Sequence, residues 1–183
     1  MTRIDHLMKA NNIALTLKKE KPKTVEDLLI CCGLTLKFIG DGGFRVVFKI
    51  VGTGLVVKVP MTEKDQAELG HNYAHTPLVH ANTEWKYRKK VMREKKYEFF
   101  RPYMPALHCL IPSTGVTLTD YYRPLPWAYT KKYDAEIDQI IANLAGIGVM
   151  DGDVGPDKRD NYGIDRDGKL RIIDLGCFGG ELE

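Results

Sequence analysis

The sequence predicts an α+β fold in two lobes, and three observations carry that reading. Helix-type segments precede Leu34, three glycine-punctuated runs rich in β-branched residues follow directly, and a helix and a hairpin close the chain. Residues 1–23 are polar to basic and end in KKEKPK. Ile4, Leu7 and Met8 at helical spacing predict a short amphipathic helix there, then a linker. Thr24-Val-Glu-Asp27 has the form of a capping box with Asp in place of Glu, opening a helix that ends near Gly33. From Leu34 the character changes to LTLKFIG, FRVVFKIVG and GLVVKVP, which reads as a meander of three antiparallel strands turning at Gly52 and Gly54.

Residues 61–82 read as a polar insertion with weak periodicity, and Glu84–Phe100 as a charged helix carrying Trp85, Val91 and Met92. Two strands are predicted near Leu107–Ile111 and Gly115–Tyr121. Pro124-Leu-Pro126 then breaks the chain and marks a lobe boundary. Asp134 is the predicted cap of a helix carrying Ile137, Ile140, Ile141 and Leu144 and ending at Gly146 or Gly148. Tyr162-Gly-Ile and Lys169-Leu-Arg-Ile-Ile flank Asp165-Arg-Asp-Gly168, a hairpin signal. The expected organisation is an N-terminal helical extension over 1–33, a sheet lobe over 34–122 and a smaller helical lobe over 123–183.

Composition narrows the function classes. A chain of 183 residues, 44% hydrophobic, suits one ordinary domain or two small lobes and argues against disorder. A net charge of +3 is too small to point to nucleic acid or an anionic membrane. The N-terminal MTRIDHLMK lacks the apolar core of a signal peptide, and the uncharged window Pro102–Thr119 is broken by Pro105, Pro112 and Gly115, so neither secretion nor membrane insertion is expected. Cys31 and Cys32 are adjacent while Cys109 and Cys177 are isolated, with no metal-ligand spacing, which suits a reduced, cytoplasmic setting.

Gly40-Asp-Gly-Gly-Phe-Arg-Val-Val-Phe48 lies at a strand–turn–strand, where glycines let backbone approach a polyphosphate with no Cβ in the way. Strand-type residues follow it, so it is not the helix-opening dinucleotide motif, and the Walker pattern is absent. Taken alone it is a glycine hairpin of an ordinary sheet. Val56-Val-Lys58-Val places a lysine inside an apolar strand, where its stem can pack while its ammonium needs a partner. A solvent-facing lysine is the plainer reading. Asn161 precedes the hairpin, and Ile173-Asp174-Leu-Gly176 ends it. A carboxylate and an amide oxygen there are hard ligands of the kind Mg²⁺ takes with phosphate, the alternative being an Asx-turn and a helix cap.

Together, the GxGxFxxVF segment, VVKV, and Asn161 followed thirteen residues later by Asp174-Leu-Gly resemble the protein-kinase-like superfamily over about Leu34–Phe178. The pattern is most similar to minimal, divergent kinase-like proteins of bacteria and phages. The resemblance implies a two-lobed kinase-like fold with a truncated helical second lobe. It implies that Gly40, Gly42, Gly43 and Val47 belong to the ATP-binding residues, that Lys58 binds the α/β-phosphates, and that adenine meets backbone near Asp120–Tyr122. Asn161 and Asp174 would hold Mg²⁺. Glu84, or Glu68 nearer in sequence, would orient Lys58. The family places its catalytic aspartate five residues before the asparagine, where this chain has Pro156, and the HRD tripeptide is absent. Asp153 takes the role if the loop carries three extra residues, with Asp151 and Asp157 as alternatives and Lys158 or Arg159 standing in for the catalytic-loop lysine. Arg45 replaces the third loop glycine.

The expected function is ATP/Mg²⁺-dependent phosphoryl transfer to Ser/Thr hydroxyls of a protein. The alternative is a pseudokinase-type protein that binds and inhibits a partner. If these 183 residues are the whole protein rather than a piece of a longer chain, the substrate platform is expected from the extension, the 61–82 insertion, a second protomer or a partner. Seven basic residues in Lys86–Lys96 read as a solvated helix face rather than a nucleic-acid surface. Glu68, His71 and His75 have helix-face spacing for zinc but lack a fourth ligand, and Cys177 reads as inert.

Overall fold

The computed structural model describes residues 2–68, 76–125, 131–149 and 158–174. The chain is α+β and divides into two units, Met1–Asn82 with Ala106–Tyr121, and Thr83–Pro105 with Tyr122–Glu183.

In the first unit, helix α1 (Arg3–Glu20) opens on a complete capping box: the Thr2 hydroxyl accepts the Asp5 N–H at 3.1 Å, and the Asp5 carboxylate accepts the Thr2 N–H at 2.9 Å. It runs well past the short segment that Ile4, Leu7 and Met8 predict, and those three side chains are 70%, 50% and 61% exposed. The buried stripe is Ala10, Ala14 and Leu17, at i, i+4 and i+7. Alanine lets a helix approach its support closely but adds little hydrophobic signal to a sequence. Helix α2 (Val25–Cys32) carries the predicted capping box of Thr24 and Asp27 and ends at Gly33 with φ 55°.

The predicted meander forms β1 (Leu36–Asp41), β2 (Arg45–Ile50) and β3 (Leu55–Pro60). With β4 (Leu107–Leu110) and β5 (Thr117–Asp120) it makes an antiparallel sheet of order β1-β2-β3-β5-β4. Ile50, Leu55, Val57, Cys109 and Leu118 cluster with Ala10, Ala14, Leu17 and Leu28, so this face of the sheet buries the stripe of α1. The β4–β5 turn depends on Gly115. Its φ is +72°, its N–H bonds the Ile111 carbonyl at 2.7 Å, and a Cβ there would sit 2.7 Å from Pro60 Cγ and 3.1 Å from Ala81 Cβ.

Part of the 61–82 insertion is helical. Helix α3 spans Glu63–Glu68, and α4 spans Pro77–Arg93 rather than Glu84–Phe100. The early start follows from Thr76, whose hydroxyl accepts the Val79 N–H at 3.3 Å, and from proline at the first helical position. The early stop follows from Arg101, which donates to the Val91 and Glu94 carbonyls at 3.1 Å each. A single 3-10 turn at Lys95–Tyr97 stands in the expected last turns, and another follows at Arg101–Tyr103.

The second unit holds a three-stranded sheet of β6 (Arg123–Pro124), β7 (Tyr162–Ile164) and β8 (Leu170–Ile172). Helix α5 (Asp134–Gly146) buries Ile137, Ile140 and Leu144 in a cluster with Tyr162, Leu170, Ile172, Val91 and Phe100. Its N-cap is Tyr133, with Asp134 inside the first turn where a carboxylate favours the helix dipole, so the predicted cap is shifted by one residue. The predicted hairpin is present. Asp165 Oδ1 accepts the Asp167 and Lys169 N–H groups at 2.9 Å each, and Arg171 donates to Asp165 Oδ2 at 2.6 Å and to the Pro102 carbonyl. Burial pushes the Asp165 carboxyl up, but the Lys169 amide and the Arg171 guanidinium outweigh it and hold it below its ordinary value. Among the described residues no helix is long and apolar enough to cross a membrane.

Two outcomes are expected. Gly115→Ala lowers stability by about 2–3 kcal/mol, combining a left-handed backbone with overpacking, seen as a lower urea midpoint at unchanged m. Asp165→Ala costs about 1–2 kcal/mol at neutral pH. Because the folded carboxyl is shifted down, that stability is full above its unfolded value and is lost as pH falls through the folded one. Melting curves of wild type and variant therefore converge in acid.

Candidate functional site

The sheet of the first unit sorts its side chains by alternation. Directly opposed residues in antiparallel strands share a face, and the face opposite the core is the informative one. Val47 opposes Lys58, and Lys58 opposes Thr117. A register shift in β1 between Phe38 and Gly40 brings Gly40, rather than Ile39, opposite Val47. Gly40, Val47, Lys58 and Thr117 therefore form one row across four strands, on the face that does not carry Phe48, Val57 and Leu118.

Lys58 in this row is buried, 6% exposed, and so is Thr117 at 5%. The solvent-facing reading of Lys58 is thus set aside. The Thr117 hydroxyl has no hydrogen-bond partner among the described residues. The glycine hairpin ends the row. The Gly42 N–H bonds the Arg45 carbonyl at 3.0 Å, closing the turn, and Gln66 Nε2 donates to the Gly43 carbonyl at 2.7 Å. A Cβ at Gly40 or Gly42 would meet nothing within 4 Å, and neither residue has positive φ. Packing among the described residues does not require glycine at these two positions.

Of the two glutamates weighed for Lys58, Glu68 is exposed at the end of α3 and pairs with Lys64 at 3.6 Å. Glu84 lies on α4 in the second unit, where it favours the charged form of Arg88, against the burial that lowers that guanidinium. In the basic segment Lys86, Lys89 and Arg93 are exposed, and the Lys89 ammonium sits 5.4 Å from the Trp85 ring centre.

Asn161 ends a 3-10 turn (Arg159–Asn161) that leads into β7. Its carbonyl accepts the Ile173 N–H at 2.7 Å, continuing the register in which Tyr162 opposes Ile172. Asn161 therefore faces Ile173, and Asp174 is the next residue. Both residues lie at the open end of one hairpin and are partly buried. Beside them the chain packs closely at Gly163, where a Cβ would lie 2.9 Å from both Ile173 Cγ2 and Tyr122 Cβ. Two oxygen donors of this kind fit a hard cation. Asp151, Asp153, Asp157, Pro156, His71, His75 and Cys177 lie outside the described residues.

Around the expected adenine position, the Asp120 N–H bonds the Ala106 carbonyl at 3.1 Å and the Tyr121 N–H bonds the Gly54 carbonyl at 2.9 Å. Both amides are used within the unit. The Asp120 side chain belongs to a cluster that sequence reading missed: its Oδ1 lies 2.7 Å from His6 Nε2 and 2.8 Å from His108 Nε2. Burial pushes the Asp120 carboxyl up, and the hydrogen bonds from His108 and His6 more than reverse this, so it sits below its ordinary value. No local spacing signals the cluster, because His6 is 114 residues from Asp120. Comparison with known proteins found no family model that matches the chain and no curated protein that matches it.

Proposed function

We infer that the chain is an ATP- and Mg²⁺-dependent phosphotransferase of two-lobed, protein-kinase-like fold, acting on Ser or Thr hydroxyls of a protein. The observation that carries the reading is the row of Gly40, Val47 and buried Lys58 on one sheet face. An ammonium placed there can form charge-assisted bonds to phosphate oxygens, and the glycines leave space for those oxygens at the backbone.

In the second unit, Asn161 and Asp174 would hold Mg²⁺, which supplies neutralising charge for the phosphates when bound. Asp153 would accept the hydroxyl proton as the acceptor oxygen attacks the γ-phosphorus. Lys58 would hold the α/β-phosphates in line, a positioning role that needs no covalent chemistry. The setting proposed is the cytoplasm, where ATP and reduced cysteines coexist. A second reading rests on Pro156, which stands where the family carries its catalytic aspartate. On that reading the chain binds nucleotide and a protein partner without transfer.

ATP with Mg²⁺ is expected to raise the melting temperature, and Lys58→Met to weaken ATP binding about tenfold or more, as loss of a charged hydrogen bond implies. Labelled ATP incubated with a cell lysate should label protein with wild type and not with Lys58→Met, Asp153→Ala or Asp174→Asn. Thermal stabilisation by ATP without transfer in wild type selects the binding protein. The absence of stabilisation overturns both readings.

A further inference from the structure

The cluster of His6, His108 and Asp120 lies within the first unit and is independent of the phosphotransferase reading. His6 stands in the first turns of α1, just after the capping box formed by Thr2 and Asp5. His108 is on β4 and Asp120 ends β5. All three are largely sheltered, with side chains 11%, 14% and 26% exposed. One ligand atom from each lies within 4.8 Å of the other two.

The hydrogen-bond inventory of His6 is the informative part. Its Nδ1 lies 3.0 Å from the Thr53 carbonyl, which can only accept, so Nδ1 carries a proton. Nε2 then meets the Asp120 carboxylate oxygen 2.7 Å away through a positive centre between them, either a second ring proton or a metal ion in its place. His108 Nε2 converges on the same oxygen, so two imidazole nitrogens and one carboxylate oxygen point at one locus.

We propose that His6, His108 and Asp120 bind a divalent transition-metal cation of the Zn²⁺ class. Two imidazoles and a carboxylate are a donor set that Zn²⁺ takes and that Mg²⁺, which prefers oxygen, does not. With Zn–N and Zn–O lengths near 2.0–2.2 Å, tetrahedral ligand atoms lie about 3.3 Å apart. The 2.7 and 2.8 Å contacts need to open by only about half an ångström, within the reach of side-chain torsions. The Nδ1–H bond to the Thr53 carbonyl is the outer contact that fixes the tautomer and aims Nε2 at a metal. Three protein ligands leave a fourth position for water or a small anion. The cation ties α1 to β4 and β5, across 114 residues of chain in the case of His6 and Asp120.

The test uses the full chain, stripped with chelator and titrated calorimetrically with Zn²⁺ or with Mg²⁺. One equivalent of Zn²⁺ should bind and raise the melting temperature, while Mg²⁺ alone does neither. His6→Gln and His108→Gln should each weaken Zn²⁺ binding by at least the roughly 10–100-fold that outer contacts alone command. A His71→Ala/His75→Ala double variant should bind as wild type does. Absence of Zn²⁺ binding to wild type overturns the proposal without any variant having to fold. Binding that survives both glutamine variants, or that is lost in the His71/His75 variant instead, overturns it as well.

Discussion

Antiparallel pairing gives each strand of the first unit a choice between two faces, and the register of β2, β3 and β5 makes that choice. Ile50, Leu55, Val57 and Leu118 face α1, so Val47, Lys58 and Thr117 must face the other way. A slip of one residue would drive the Lys58 ammonium into an apolar cluster and expel Val57. The fold and the candidate site are therefore held by one constraint. What keeps the core dry also aligns the row, and the bulge in β1 adds Gly40 to it.

The second unit works by a different device. Its hairpin is short, and a polar network anchors its closed end: Asp165 gathers two backbone amides and Arg171, and the Tyr133 hydroxyl donates to the Gly168 carbonyl at 2.8 Å. Tyr162, Leu170 and Ile172 secure its middle against α5. The open end carries Asn161 and Asp174. Register again does the positioning, through the bond between Asn161 and Ile173.

Much of this was legible in the sequence where the signal is local. The Thr24–Asp27 cap, the three strands and the Asp165–Gly168 turn each sit within a few residues, and the structure holds all of them. The seating of α1 was not legible, because Ala10 and Ala14 bury well while Ile4, Leu7 and Met8 carry the hydropathy. The bounds of α4 were misread because Arg101, a residue beyond the helix, satisfies its last carbonyls. On the site, alternation alone left Lys58 on either face, and only the partner strands decide. The His6, His108 and Asp120 cluster has no local trace, since its members meet only through tertiary folding.

The glycines of the chain divide into two kinds. Gly115 occupies a conformation and a space that no other residue could share. Gly40 and Gly42 are under no such compulsion: their backbone angles are ordinary, and the room beside them is open. Each glycine there forfeits chain entropy on folding, about 0.5–1 kcal/mol relative to alanine, with no packing among the described residues to offset it. On the proposed reading, a phosphate resting against the bare backbone is the offset. The hairpin would then be a place where the apoprotein is less stable than its own fold allows, and where ligand binding restores the difference.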